Sequence, residues 1–173
     1  QPTWSPDGNR IAYASASELY GLNTVYENHA TGCDPRNLVP SEHPQSAPAW
    51  SRDGARIAYI ADTWRGSELW IANGDGSNAH ALIPIPEDDL KQPWMYADPD
   101  WSPDGSKIVF TSDRNRYFNL YTIDADGTGE TRVTDSQWND FNPAWSPDGS
   151  RIAFERDTDF SGDIFVANAD GTN

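Results

Sequence analysis

The sequence predicts an all-β fold, a β-propeller built of four-stranded blades, and three observations predict it. Trp-Ser-Pro-Asp-Gly stands at positions 4–8, 101–105 and 145–149, with Trp-Ser-Arg-Asp-Gly at 50–54, so the Trp-to-Trp spacings are 46, 51 and 44. Between these marks lie short runs rich in β-branched and aromatic residues, punctuated by Gly, Pro and Asp. No stretch shows the 3.6-residue periodicity of an amphipathic helix.

Each unit divides into strands in the same order. A first strand closes on Trp, as in Pro48-Ala49-Trp50 and Pro143-Ala144-Trp145. The next four residues form a tight turn in which Pro presets φ and Gly accepts the left-handed conformation. The turn residues are Asp7 with Gly8, Asp53 with Gly54, Asp104 with Gly105, and Asp148 with Gly149. A second strand follows, with Ile11, Ile57, Ile108 and Ile152 each seven residues after its Trp, and an aromatic two positions later. The third strand contains the runs 69–72, 120–123 and 164–167, and Asp-Gly then makes a hairpin turn. A short outer strand ends at Leu38, Leu82 or Val133, and the fourth unit would need position 177 for its counterpart. The count is therefore about 3.75 blades, at approximately 1–45, 46–96, 97–141 and 142–173, in a single, partial propeller domain. Trp4, Trp50, Trp101 and Trp145, fixed just before a turn, are expected to pack between blades.

These motifs, most closely the run from Asn142 to Phe154, resemble the WD40-like repeat of the TolB-like (PD40) β-propeller family, and the resemblance covers all four units. It implies rigid blades that serve binding. It also implies a periplasmic or extracellular setting, since members of that family are commonly placed there. Two readings of the chain ends remain open: a segment of a propeller of six to eight blades, or a ring or filament completed by self-association with other copies.

Charge narrows the partners. Twelve Lys and Arg face 27 Asp and Glu, a net charge of −15, which argues against nucleic acid and anionic membrane surfaces. No apolar run reaches the 18 residues needed to span a bilayer. A single cysteine, Cys33, excludes an internal disulfide framework and a cysteine zinc site.

The connection between the second and third units is 18 residues long, against 11 at the other two junctions. It holds Asp88, Asp89, Trp94, Tyr96, Asp98 and Asp100, and the last junction adds Trp138 and Asp140. These eight residues are the predicted binding set: acidic groups with Trp and Tyr anchors, for a protein or peptide partner of cationic or amide-rich character. Trp94 and Tyr96 are expected to contribute to binding and hardly to stability. No cofactor is expected, although clustered carboxylates are also the hard oxygen donors that hold calcium. Asp62, Asp113 and Asp157 recur twelve residues after their Trp, which favours a structural role in their own loops.

Catalysis finds little support. There is no G-x-S-x-G elbow and no H-E-x-x-H helix, and His29, His43 and His80 fall at turns, junctions or strand ends. The expectation is a non-catalytic interaction scaffold. The alternatives are the propeller portion of a larger prolyl-oligopeptidase-like hydrolase, with its triad outside this chain, and a structural subunit of an extracellular filament or surface assembly.

Overall fold

A computed structural model of the chain describes residues 2–16, 22–32, 34–64, 66–84, 94–158 and 162–172. Cys33, Asp88 and Asp89 lie outside the described residues. The chain forms two compact units, Gln1–Pro93 and Trp94–Asn173, each holding two antiparallel sheets.

In the first unit, β1 (Thr3–Trp4), β2 (Arg10–Ala16), β3 (Asn23–His29) and β4 (Arg36–Asn37) pair in chain order. The second sheet, β5 (Gln45–Trp50), β6 (Arg56–Thr63), β7 (Gly66–Asn73) and β8 (His80–Ala81), does the same. In the second unit, β9 (Tyr96–Trp101), β10 (Lys107–Ser112), β11 (Asn119–Asp124) and β12 (Thr131–Arg132) form a four-stranded sheet. The last sheet has three strands, β13 (Asn139–Trp145), β14 (Arg151–Asp157) and β15 (Gly162–Asn168). This meander of four, four, four and three strands is the propeller-blade architecture that the repeats predict.

Each Trp-Ser-Pro-Asp-Gly turn is held by one hydrogen-bond pattern. The Ser hydroxyl donates to the Asp carboxylate at 2.6 Å in all four copies. The same hydroxyl accepts the N–H five residues later at 2.9 Å, which starts the second strand. Arg52 in place of Pro leaves this geometry intact, because Ser51 and Asp53 supply the bonds. The Asp-Gly hairpins are built likewise, with Asp75, Asp126 and Asp170 accepting the N–H two residues on. Gly76 adopts φ +85°, and a Cβ there would overlap the Leu38 carbonyl oxygen, so only glycine fits.

The core of each unit lies between its two sheets. Trp50 packs with Val25, Leu38 and Val39 of the first sheet, and Trp145 packs with Val109, Leu120 and Val133 in the second unit. Thus a Trp at the end of one inner strand fills the space against the third and outer strands of the sheet before it. Trp101 is 0% exposed. Trp4 departs from the expectation of core packing: it is 58% exposed, because no described sheet covers its outer side. For the matching reason Ile164 and Val166 of β15 are solvent-exposed, whereas Leu120 and Leu69 on the corresponding strands are buried.

Inner strands carry a feature that periodicity does not announce. Ala47, Asp98 and Asn142, each three residues before its Trp and each followed by Pro, have φ of 48°, 50° and 50°. The pairing register slips at each of these places. The left-handed residue and the Pro without an N–H together form a bulge that re-aims the first half of the inner strand.

Candidate binding face

Three segments meet at one end of the second unit's sheets. The residues before β9, the β10–β11 loop at 113–118 and the start of β13 are tied by main-chain and side-chain bonds. Asp113 Oδ1 accepts the Met95 N–H at 2.8 Å, and the Asp113 N–H donates to the Met95 carbonyl at 3.3 Å. Asn139 Oδ1 accepts the Phe118 N–H at 3.1 Å, and the Asp140 N–H donates to the Phe118 carbonyl at 2.8 Å. The Phe118 and Phe141 rings lie 5.0 Å apart beneath this junction. The loop end of the two sheets is therefore a fixed surface with three contributors.

The predicted residues divide into exposed and structural groups. Trp94 and Trp138 are half-buried on this end, and neighbouring Met95 is 49% exposed. Tyr96 is only 2% exposed: it opens β9 opposite Ser112 and packs edge-on against Phe110 at 5.6 Å. The expectation that Tyr96 hardly matters to stability is therefore corrected, since its ring is part of the core. Asp140 is fully buried and grips Arg156 through two bonds, Nε at 2.6 Å and Nη2 at 2.8 Å. That carboxylate holds the Arg156 guanidinium's pKa above its ordinary value, and the guanidinium also lies over the rings of Phe154 and Phe165. Asp98 Oδ2 accepts the Asn142 N–H at 3.4 Å, and Asp100 Oδ2 accepts the Trp145 N–H at 3.0 Å. These two carboxylates bind the backbone of the adjacent inner strand.

Cations share this end with the acids. Arg116 lies over the Tyr117 ring at 5.4 Å, and Arg114 stacks 3.8 Å from the centre of Tyr121 while reaching Glu130 at 2.7 Å. Asp113 and Asp62 serve their own neighbourhoods, the latter accepting the Ser67 hydroxyl at 2.6 Å. Among the described residues no three His, Cys, Asp or Glu side chains converge on a metal site.

The first unit adds a residue that the repeats hide. Trp64, in the β6–β7 turn, is 75% exposed. Its counterparts fourteen residues after Trp4, Trp101 and Trp145 are Glu18, Asn115 and Asp159, so a lone Trp at a non-repeating turn position was the available signal.

The TolB beta propeller domain (PD40) matches residues 23–173. The chain belongs to this family. Among curated relatives, the Tol-Pal system protein TolB of Bordetella pertussis is 37% identical over 128 residues, which is 73% of this chain and 27% of the relative. The chain thus spans about a quarter of that relative's length. Among solved structures, a putative TolB from Agrobacterium tumefaciens superposes with a TM-score of 0.81 at 24% identity, over 98% of this chain and 61% of the other. A puromycin hydrolase superposes with a TM-score of 0.76 at 18% identity, over 100% of this chain and 29% of the other. At such identities these structures bear on the fold alone, and the PD40 repeat accounts for it. Among the described residues no helix is long and apolar enough to cross a membrane.

Proposed function

We propose that this chain is a non-catalytic, protein-binding portion of a TolB-like propeller that works in a periplasmic or extracellular setting. The observation that carries the reading is the convergence of three loops at one end of the second unit, with Trp94, Met95 and Trp138 at the surface. The TolB name of its relatives supports it, because a Tol-Pal system protein is defined by the proteins it works with. The chemistry fits a partner that offers apolar anchors and amides. Half-buried aromatics supply contact area at small entropic cost, and the fixed loops require little ordering on binding. Arg116 beside Asp113 makes the rim mixed in sign, so charge there sets orientation more than affinity. Asp88 and Asp89, which lie outside the described residues, belong to the same connection in the sequence.

The test is calorimetric titration of the chain with the purified proteins of a Tol-Pal system. Saturable binding to one of them, weakened by Trp138→Ala and Met95→Ala in chains of unchanged melting temperature, supports the proposal. Binding that ignores both substitutions removes this face from it.

A further inference from the structure

A cleft of about 350 Å³ opens between the β9–β10 and β13–β14 turns, at the opposite end of the sheets from the loop face. Trp145, Pro103, Lys107, Asp148, Ala169 and Asp170 line it. What it is shaped to hold can be read from the first unit, where the repeat-equivalent space is filled by the protein itself.

Arg10 stands six residues after Trp4, as Lys107 stands six after Trp101. The Arg10 guanidinium lies 4.6 Å from the centre of the Trp50 ring. Its Nη1 donates to the Gly74 carbonyl at 3.2 Å and to Glu27 Oε2 at 3.1 Å. The counterparts of Trp50 and Gly74 are Trp145 and Ala169, and both line the cleft. Lys107 repeats only part of what Arg10 does. Its ammonium pairs with Asp124 on its own sheet, as Arg10 pairs with Glu27, but a compact ammonium lacks the planar cation that stacks on an indole.

The second unit therefore keeps the aromatic platform and the carbonyl of a guanidinium site without supplying the guanidinium. It also offers an anion. Asp148 takes its hydrogen bonds from Ser146 and Ser150 on Oδ1, which leaves Oδ2 for another donor. Those bonds hold its carboxyl well below the usual range, so it is charged at neutral pH. Trp145 is 7% exposed and its indole N–H has no partner among the described residues. Trp50's indole N–H is equally unpartnered beneath its arginine, so the ring face is the recognition element.

We propose that this cleft receives an arginine side chain from a partner polypeptide. The guanidinium stacks on Trp145 as Arg10 stacks on Trp50, and it pairs with Asp148. The net charge of −15 draws such a partner in. This site is separate from the loop face and stands or falls independently of it.

The test is a titration of the isotope-labelled chain with N-acetyl-arginine amide, following the Trp145 indole N–H by NMR. The lysine and citrulline analogues serve as the point-charge and neutral controls. The expected result is a saturable shift with arginine, a weaker one with lysine and none with citrulline. Lys107→Arg, which restores the self-filling residue, should weaken arginine binding by about tenfold. Asp148→Asn should weaken it too, read at a temperature well below the melting of the variant, whose turn loses part of its stability. Equal shifts from arginine and lysine that vanish with added salt would overturn the proposal. So would undiminished binding by the Lys107→Arg chain.

Discussion

Asp100 Oδ2 accepts the backbone N–H of Trp145 at 3.0 Å, so a side chain of one inner strand caps the main chain of the next. This bond ties the β9 sheet to the β13 sheet within the second unit, beside the packing of Trp145 on Leu120 and Val133. Asp100→Ala takes away the acceptor and is expected to cost about 1–3 kcal/mol, while Asp100→Asn keeps an oxygen there and costs less. Urea unfolding of the two variants checks it. Equal losses would mean that the bond is incidental.

Trp101 and Trp4 occupy the same repeat position with opposite surroundings. Trp101→Ala empties a fully buried site and should cost about 3–5 kcal/mol. Trp4→Ala at a largely exposed site should stay within about 0.5 kcal/mol. Denaturant midpoints decide it, and a loss below about 1 kcal/mol at Trp101 would contradict its core role.

Acid should unfold the protein through its turns. The Ser5 and Ser102 hydroxyls, with the N–H groups of Asn9 and Ser106, lower the Asp7 and Asp104 pKa values to about 2. The same bonds lower Asp53 and Asp148. An unfolded Asp titrates near about 4, so each folded carboxylate binds its proton less readily than the unfolded one. The stabilisation is complete above about pH 4 and is lost as pH falls towards about 2. Melting temperature followed by circular dichroism should hold steady above pH 5 and drop steeply below 4. In the Ser102→Ala chain the drop should be shallower. A flat profile down to pH 2 would contradict the turn chemistry.

Asp140 and Trp138, two residues apart, should separate stability from binding. Asp140→Ala leaves Arg156 without its buried carboxylate and is expected to cost about 3 kcal/mol. Trp138→Ala should leave the melting temperature nearly unchanged. Thermal unfolding of both variants measures the difference, and similar losses would place Trp138 in the core.

Much of this fold is legible in the residues. Ser-Pro-Asp-Gly marks its own turn, because the Ser and Asp side chains find their hydrogen-bond partners within the turn and the strand it starts, with no long-range information required. The alternation after it fixes β2, β6, β10 and β14, and the Asp-Gly pairs fix the next hairpins. The binding face is less legible. Whether Tyr96 points to solvent or to Phe110 depends on a bulge at Asp98, and a bulge shifts side-chain direction without altering the period on either side. Carboxylates at 98, 100 and 140 look alike in the sequence, yet backbone N–H groups and Arg156 claim them in the fold. The Pro after Ala47, Asp98 and Asn142 was the visible trace of the bulge. Trp4 shows the complementary limit, since a repeat position predicts burial only where another sheet supplies the cover.

Protein binding at the loop end of the second unit is tested most directly by calorimetry of the chain, and of its Trp138→Ala variant, against each purified protein of a Tol-Pal system. Saturable one-to-one binding, weakened by on the order of tenfold or more in Trp138→Ala at unchanged stability, is the predicted result. Absence of binding to every one of them, or equal affinity in the two chains, would contradict it.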